Sequence, residues 1–411
     1  YINGTWLKKN PIPPEEVSWG IGNLIIDENF KKLKLICEAA ANAPNELGSN
    51  GQKIGDFWLI AMDSVRCDSL GIIPLKSYLD SIDHINDLQS FIRTVAELSN
   101  IGACTLLNNY VAQDDKNSDK MSVFFTQGGL GLPNRDYYFK QDDRTKKVRE
   151  QYPIFISRIL QFVQTDTSGS IKNANDIFQF ETNLAAHSKK LEELRDPYGN
   201  YHSMSIEQFH KSAKNIQWSK FLEITNCRVD SCNIRQPEYY SNVDKLISAT
   251  SINTLKNYLK FHLINKYASS LSKEIDETNF NFYIKLIGGA EIQKPRWKRS
   301  LEATEDAMGE LLGQEFVKSY FNEKAKNRYS NMVEAIREVF KDHILHSEWM
   351  GQETKAKALI KLATMTKKVG YPDKWKDYSQ LKIGRNSYCE NLINARKFAI
   401  TYNRNKLGRY K

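Results

Sequence analysis

A mainly α-helical fold with one small β element follows from three features of the sequence. Apolar residues recur at helical spacing in most segments between about residues 27 and 405. The period changes over about 105–127, where NNYVAQ and MSVFFTQ are β-rich and DDKNSDK between them is turn chemistry, so one β-hairpin is expected there. The 411 residues include 21 Gly and 11 Pro, and are 41% hydrophobic and 26% charged. That profile is globular, leaves length for several domains, and excludes a collagenous or wholly disordered chain. No apolar run approaches the roughly 18 residues of a membrane span, so no transmembrane segment is expected in this chain.

Asp27 is expected to cap a helix carrying Phe30, Leu33, Ile36, Cys37 and Ala40 on one face. A second helix runs through Phe57, Trp58, Ala61, Met62 and Val65 and stops near Gly71, with Pro74 beyond. A third covers about 86–100. After the hairpin, GGLGLPNRDYY fits neither regular helix nor strand. Helices are expected at about 144–164 and 174–194, the second broken by Asp196-Pro197. Ser205 and Gln208 have capping-box spacing, and Pro237 suits the first position of a helix over about 237–249. The pattern from Ser251 to about Ile287 predicts one long spanning helix. Its stripe of Leu255, Leu259, His262, Leu263 and Tyr267 should face the core, with Lys256, Lys260 and Lys273 towards water. Further helices follow at about 298–321, 325–347, 352–368 and 387–405.

Few residues of the chain fall into a catalytic or metal-binding pattern. The net charge of +9 raises a polyanion binder, and KPRWKRS (294–300) could stack on and neutralise a nucleic acid. Acids interleave with the lysines along the chain, so a structural role for that run and no nucleic acid partner are expected. The zinc-hydrolase motif HExxH is absent. His343 and His346 share a helix face without an intervening Glu, and a polar surface is the expected reading. Cys227 and Cys232 are spaced C-x4-C with no second pair, so buried free thiols are expected. No metal ligand and no catalytic residue is assigned.

Five segments, in order, are similar to one family. NGTWLKKNPIPPEEVSWG resembles the start of the neprilysin family of zinc endopeptidases. DDKNSDK leading into QGGLGLPNRDYY resembles its N-terminal signature, and RDPYGNYHSMS its R-D-P-x-x-x-Y-x-x-M-S/T segment. PRWKRSLEATEDAMGELLGQEFVKSYF and SEWMGQETKAKALIKLATMTKKVGYPDKW also fit. The resemblance covers essentially the whole chain. It implies the N-terminal portion of a metalloendopeptidase whose HExxH motif and downstream Glu ligand lie in a C-terminal catalytic domain.

What the resemblance implies is specific. Two mainly helical domains would face each other across a closed chamber, one catalytic and one a lid that restricts access to oligopeptides. Residues 1–25 would belong with the catalytic half, 26–295 would form the lid, and 296–411 would supply linking helices and the remaining lid helices. Zinc would be bound by the intact protein and not by this chain, which alone should be inactive. The partners would be oligopeptide substrates and the C-terminal catalytic domain. The family's Arg-Tyr-Gly-x-x-Asp segment, near its primed-side subsites, matches Ser18 to Asn23, so Ser18 and Asn23 are the candidate substrate-binding residues. Ser18 stands for the Arg and Asn23 for the Asp, which removes both charges. Family members act outside the cytoplasm, and the sparse cysteines resemble bacterial members, so a periplasmic or surface location is expected. YINGTWLKK has neither an initiating Met nor signal-peptide architecture, and a trimmed or partial chain is expected. The competing reading is a stand-alone helical scaffold that binds peptides or a partner without catalysis.

Overall fold

A computed structural model describes residues 4–164 and 166–408. The fold is mainly α-helical with a small four-stranded sheet. Its buried residues form two hydrophobic clusters.

The larger cluster runs from Leu75 to Ile287 and also takes in Cys389 and Ile393. Helices Leu88–Ser99, Asp143–Gln161, Thr167–Ala186, Pro237–Ala249 and Ile252–Tyr267 contribute most of its helical wall. Their starts are written in the sequence. Asp87 and Ser90 form one capping box and Ser205 and Gln208 another, while Asp142 and Ser251 each accept a first-turn backbone N–H. Aromatic rings fill the centre: Phe125 sits 5.3 Å from both Phe209 and Trp218, centroid to centroid.

The expected hairpin is present as β1 (Asn108–Gln113) and β2 (Met121–Thr126), antiparallel and in register Asn108 to Thr126. Two short strands extend it, β3 (Ser203–Ser205) and β4 (Ser231–Ile234), in the order β1-β2-β4-β3. The β2–β4 pair is parallel and the β3–β4 pair antiparallel. Strands of three and four residues are too short to announce themselves by alternation, although SCNI buries Cys232 and Ile234.

Four element boundaries differ from expectation. Asp27 caps nothing: the first long helix is Ile21–Asn42, and Asp27 inside it pairs with Lys298 at 2.9 Å. The helix through Phe57 ends at Met62, where Asp63 caps a new one, Ser64–Leu70, that stops at Gly71 with φ +51°. The 174–194 helix is Thr167–Ala186. It starts earlier because Asp166 caps it by accepting from the Ser168 N–H, and its expected last turns are irregular apart from Glu193–Arg195. The single long helix over 251–287 is broken. Ile252–Tyr267 gives way to a 3-10 turn over Ala268–Ser270, extended backbone at Leu271 and Ser272, a short helix Lys273–Asn279 and a π-helix Phe280–Gly288. ASSLS is the reason, since the Ser270 hydroxyl bonds the Tyr267 carbonyl at 2.7 Å and competes with the helical ladder. Leu255, Leu259, Leu263 and Tyr267 are buried as expected, whereas Lys260 is drawn into an ion pair with Asp83 at 2.6 Å.

The smaller cluster joins helices Ile21–Asn42, Asn50–Met62, Arg296–Tyr320 and Tyr388–Arg404. Gly55 lets the first two approach: a Cβ there would stand 2.5 Å from the Ala40 carbonyl oxygen. The last helix serves both clusters, giving Cys389 and Ile393 to one and Tyr388 and Ala395 to the other. Of the sequence boundaries, 295/296 falls at the Pro295 N-cap of Arg296–Tyr320, and 25/26 falls inside Ile21–Asn42.

Candidate functional site: the cleft between the two clusters

A cleft of about 600 Å³ opens where the two clusters meet. Its walls come from the Glu15–Val17 segment, the end of Ile252–Tyr267, the π-helix, the start of Arg296–Tyr320 and the Tyr388–Arg404 helix. The N-terminal segment is anchored to the far wall because the Pro14 carbonyl accepts from the Glu291 N–H at 2.8 Å and the Ile292 N–H at 3.2 Å. Gly289, with φ +95°, provides the left-handed turn that ends the π-helix and sends the chain there.

Charged side chains dominate the wall formed by KPRWKRS. Lys294 pairs with Glu302 at 2.7 Å and reaches Glu16 at 3.7 Å. Burial acts against its ammonium, but the hydrogen bond and charge of Glu302 outweigh it and raise the Lys294 pKa. Arg296 donates to the Ala61 carbonyl at 2.8 Å and to Cys67 Sγ at 3.3 Å. Arg299 pairs with Asp276 at 2.7 Å, and Gln293 donates to the other Asp276 oxygen at 3.1 Å. Lys298 takes Asp27. All four cations of the run are thus engaged inside the molecule, which explains the run without a nucleic acid. Lys266 lies across the cleft. Desolvation by the walls lowers its pKa, nearby Arg396 adds to the effect, and Asp306 opposes it.

The sequence candidates lie beside the cleft rather than in it. Ser18 is exposed and follows the wall residue Val17. Asn23 is half-buried in the first turn of Ile21–Asn42, its N–H on the Gly20 carbonyl at 3.0 Å. His343 and His346 are exposed, and His346 bonds Asp342 of its own helix at 3.1 Å. Cys227 and Cys232 are buried free thiols. Among the described residues no group of three or more His, Cys, Asp or Glu is arranged to hold a metal. Lys266, Asp276 and Arg396 are far apart along the chain and share no spacing pattern, so nothing in the sequence brings them together, and Arg299 stood out only as part of KPRWKRS.

Comparison with known proteins places this architecture. Residues 1–372 match Peptidase family M13, in its N-terminal part. The chain belongs to this family. Among relatives of the M13 chain, bovine endothelin-converting enzyme 1 is 27% identical over 401 residues, covering 94% of the chain and 52% of that protein. Mouse membrane metallo-endopeptidase-like 1 is 25% identical over 427 residues, covering 95% and 55%. The chain therefore spans about half the length of these curated relatives. The zinc metalloprotease 1 of Mycobacterium tuberculosis, in complex with an inhibitor, superposes with TM-score 0.93 at 27% identity over 100% of this chain and 62% of that one. PepO from Lactobacillus rhamnosis shares the fold, with TM-score 0.90 at 19% identity over 100% and 65%.

Proposed function

We propose that this M13 chain is the lid-bearing N-terminal part of a zinc metalloendopeptidase that hydrolyses oligopeptides inside a closed chamber, the lid restricting substrate size. The observation that carries this reading is the family match over residues 1–372 in a chain whose whole length superposes on a zinc metalloprotease. In this reading the Leu75–Ile287 cluster is the lid core. The 1–25 segment belongs with the catalytic half, and the helices after Pro295 link the two. Ser18 and Asn23 sit at the edge of the peptide path and contribute hydrogen bonds where the family pattern has charges.

The described residues do not fit a zinc ion, so the metal and the chemistry of bond cleavage belong to the C-terminal catalytic domain in this reading. What this chain supplies is enclosure. Packed helices with internal backbone hydrogen bonds make a wall that flexible peptides pass and folded proteins do not. An exposed apolar stripe supports a further domain against it. Met332, Ile336, Val339 and Phe340 of helix Glu323–His346 are each at least half exposed, at i, i+4, i+7, i+8 spacing. The protein acts outside the cytoplasm in this reading, as family members do.

Reading the coding sequence past Lys411 tests the proposal. Continuation into a segment bearing HExxH is the expected result. A stop codon there favours the stand-alone scaffold and overturns the enzyme reading.

A further inference from the structure

Five cations line the cleft, and three are already engaged: Lys294 with Glu302, Arg299 with Asp276, and Arg296 with the Ala61 carbonyl. The other two are Lys266 and Arg396. Among the described residues neither side chain has an ion-pair or hydrogen-bond partner, and the Arg396 charge acts on Lys266. Asp306 is near enough to act on Lys266 but does not close an ion pair with it.

Their positions are built rather than accidental. Lys266 is in the last turn of Ile252–Tyr267, and the next residue fixes that turn, since Tyr267 Oη donates to the Ile101 carbonyl at 2.6 Å. Gly102 follows with φ +68°, and a Cβ on it would stand 2.7 Å from Arg396 Nε. The missing side chain therefore leaves room for the arginine to lie against that turn, beside Lys266. Two like charges from different helices, both lining the cleft without ion-pair or hydrogen-bond partners, make a receptor for an anion.

We propose that Lys266 and Arg396 form a carboxylate subsite in the cleft, a specificity element for bound peptides; this rests on the peptide-chamber reading. The planar guanidinium takes a carboxylate through two parallel N–H groups, and the ammonium adds a point charge beside it. The carboxylate is the C-terminus of a peptide or an acidic side chain, and the two sources are separable.

The test uses the protein translated from the complete gene, freed of zinc so that peptide is held and not cut, and one N-acetylated pentapeptide in four forms, with a free or amidated C-terminus and with Glu or Gln at its centre. Binding is measured by calorimetry at low and high salt. The expected result is that one or both carboxylates tighten binding about tenfold over the amidated Gln form, with the gain falling at high salt. A gain from the free C-terminus or from Glu identifies which carboxylate is held. Lys266→Met and Arg396→Gln should remove the gain, and Lys266→Arg should keep it. Far-ultraviolet dichroism confirms that the variants fold. Equal binding of all four forms, no binding of any, or a gain that survives both substitutions overturns the subsite. Any of these leaves the enzyme reading to be decided separately, by the coding sequence beyond Lys411.

Discussion

Tyr152 donates its hydroxyl to Glu181 at 2.8 Å, and both side chains are fully buried. The same carboxylate oxygen accepts from Tyr138 Oη at 2.6 Å and the Gly131 N–H at 3.1 Å, while His262 Nε2 meets the other at 2.8 Å. Glu181 thus ties the GGLGLP turn to helices Asp143–Gln161, Thr167–Ala186 and Ile252–Tyr267. A buried carboxylate is tolerated only with such a set of partners. Replacing Glu181 by Ala strands several buried donors and should cost about 3 kcal/mol in urea unfolding. Glu181→Gln, which keeps an acceptor, should cost less. An unchanged midpoint for the alanine variant would contradict this role.

The glycines of that turn are the next constraint. Gly129 has φ +76°, and a Cβ on it would stand 2.8 Å from Tyr258 Oη and 2.9 Å from Leu184 Cδ2. A Cβ on Gly131 would collide with Tyr152 Oη. Gly131→Ala and Gly129→Val should each lose about 2 kcal/mol or more. Gly289→Ala, which has φ +95° but open space around it, should lose about 1 kcal/mol from backbone strain alone. Equal losses at all three sites would show that crowding contributes nothing.

How much of this was legible in the sequence depends on range. Caps and turn residues act within a few positions, so Ser205 with Gln208, Pro237, and the hairpin around DDKNSDK were readable. The break at 268–272 was not, because a helical apolar pattern continues across it while the Ser270 hydroxyl takes the Tyr267 carbonyl. The cleft was least legible. Arg299 with Asp276 and Lys298 with Asp27 are partners 23 and 271 positions apart, so no spacing rule could pair them. KPRWKRS raised a nucleic acid as the alternative to its expected structural role because two of its acidic partners, Asp276 and Asp27, lie elsewhere in the chain.

Burial of the thiols sets an alkaline limit. Cys37, Cys104, Cys232 and Cys389 are pushed up to about 12 by desolvation, and burial also raises Tyr138, Tyr152, Tyr240 and Tyr258 well above the ordinary tyrosine value. These groups stay protonated when folded but ionise when unfolded. Their stabilisation is complete below the unfolded values, about pH 8.5 for thiols and 10 for phenols, and is lost as pH rises towards the folded ones. Unfolding free energy should therefore fall steadily above about pH 9, and a thiol reagent at pH 8 should modify the native cysteines far more slowly than the denatured ones. Rapid labelling of all six in the native protein would contradict the burial.

The basic run gives a fourth expectation. Arg299→Ala breaks the pair between half-buried Arg299 and buried Asp276, and should lower stability by about 1–3 kcal/mol. It should leave a weak, non-specific affinity for DNA unchanged. A tight DNA complex whose affinity fell steeply with salt and was lost in this variant would return the run to nucleic-acid binding.

Peptide hydrolysis by the protein translated from the complete gene decides whether this chain encloses a zinc peptidase. Cleavage of a short unstructured peptide is measured against cleavage of a stably folded protein of ordinary size, before and after zinc removal. The expected result is that the peptide is cut, that chelation abolishes the activity and added zinc restores it, and that the folded protein survives. Digestion of the folded protein as readily as the peptide, or hydrolysis indifferent to zinc, would contradict it.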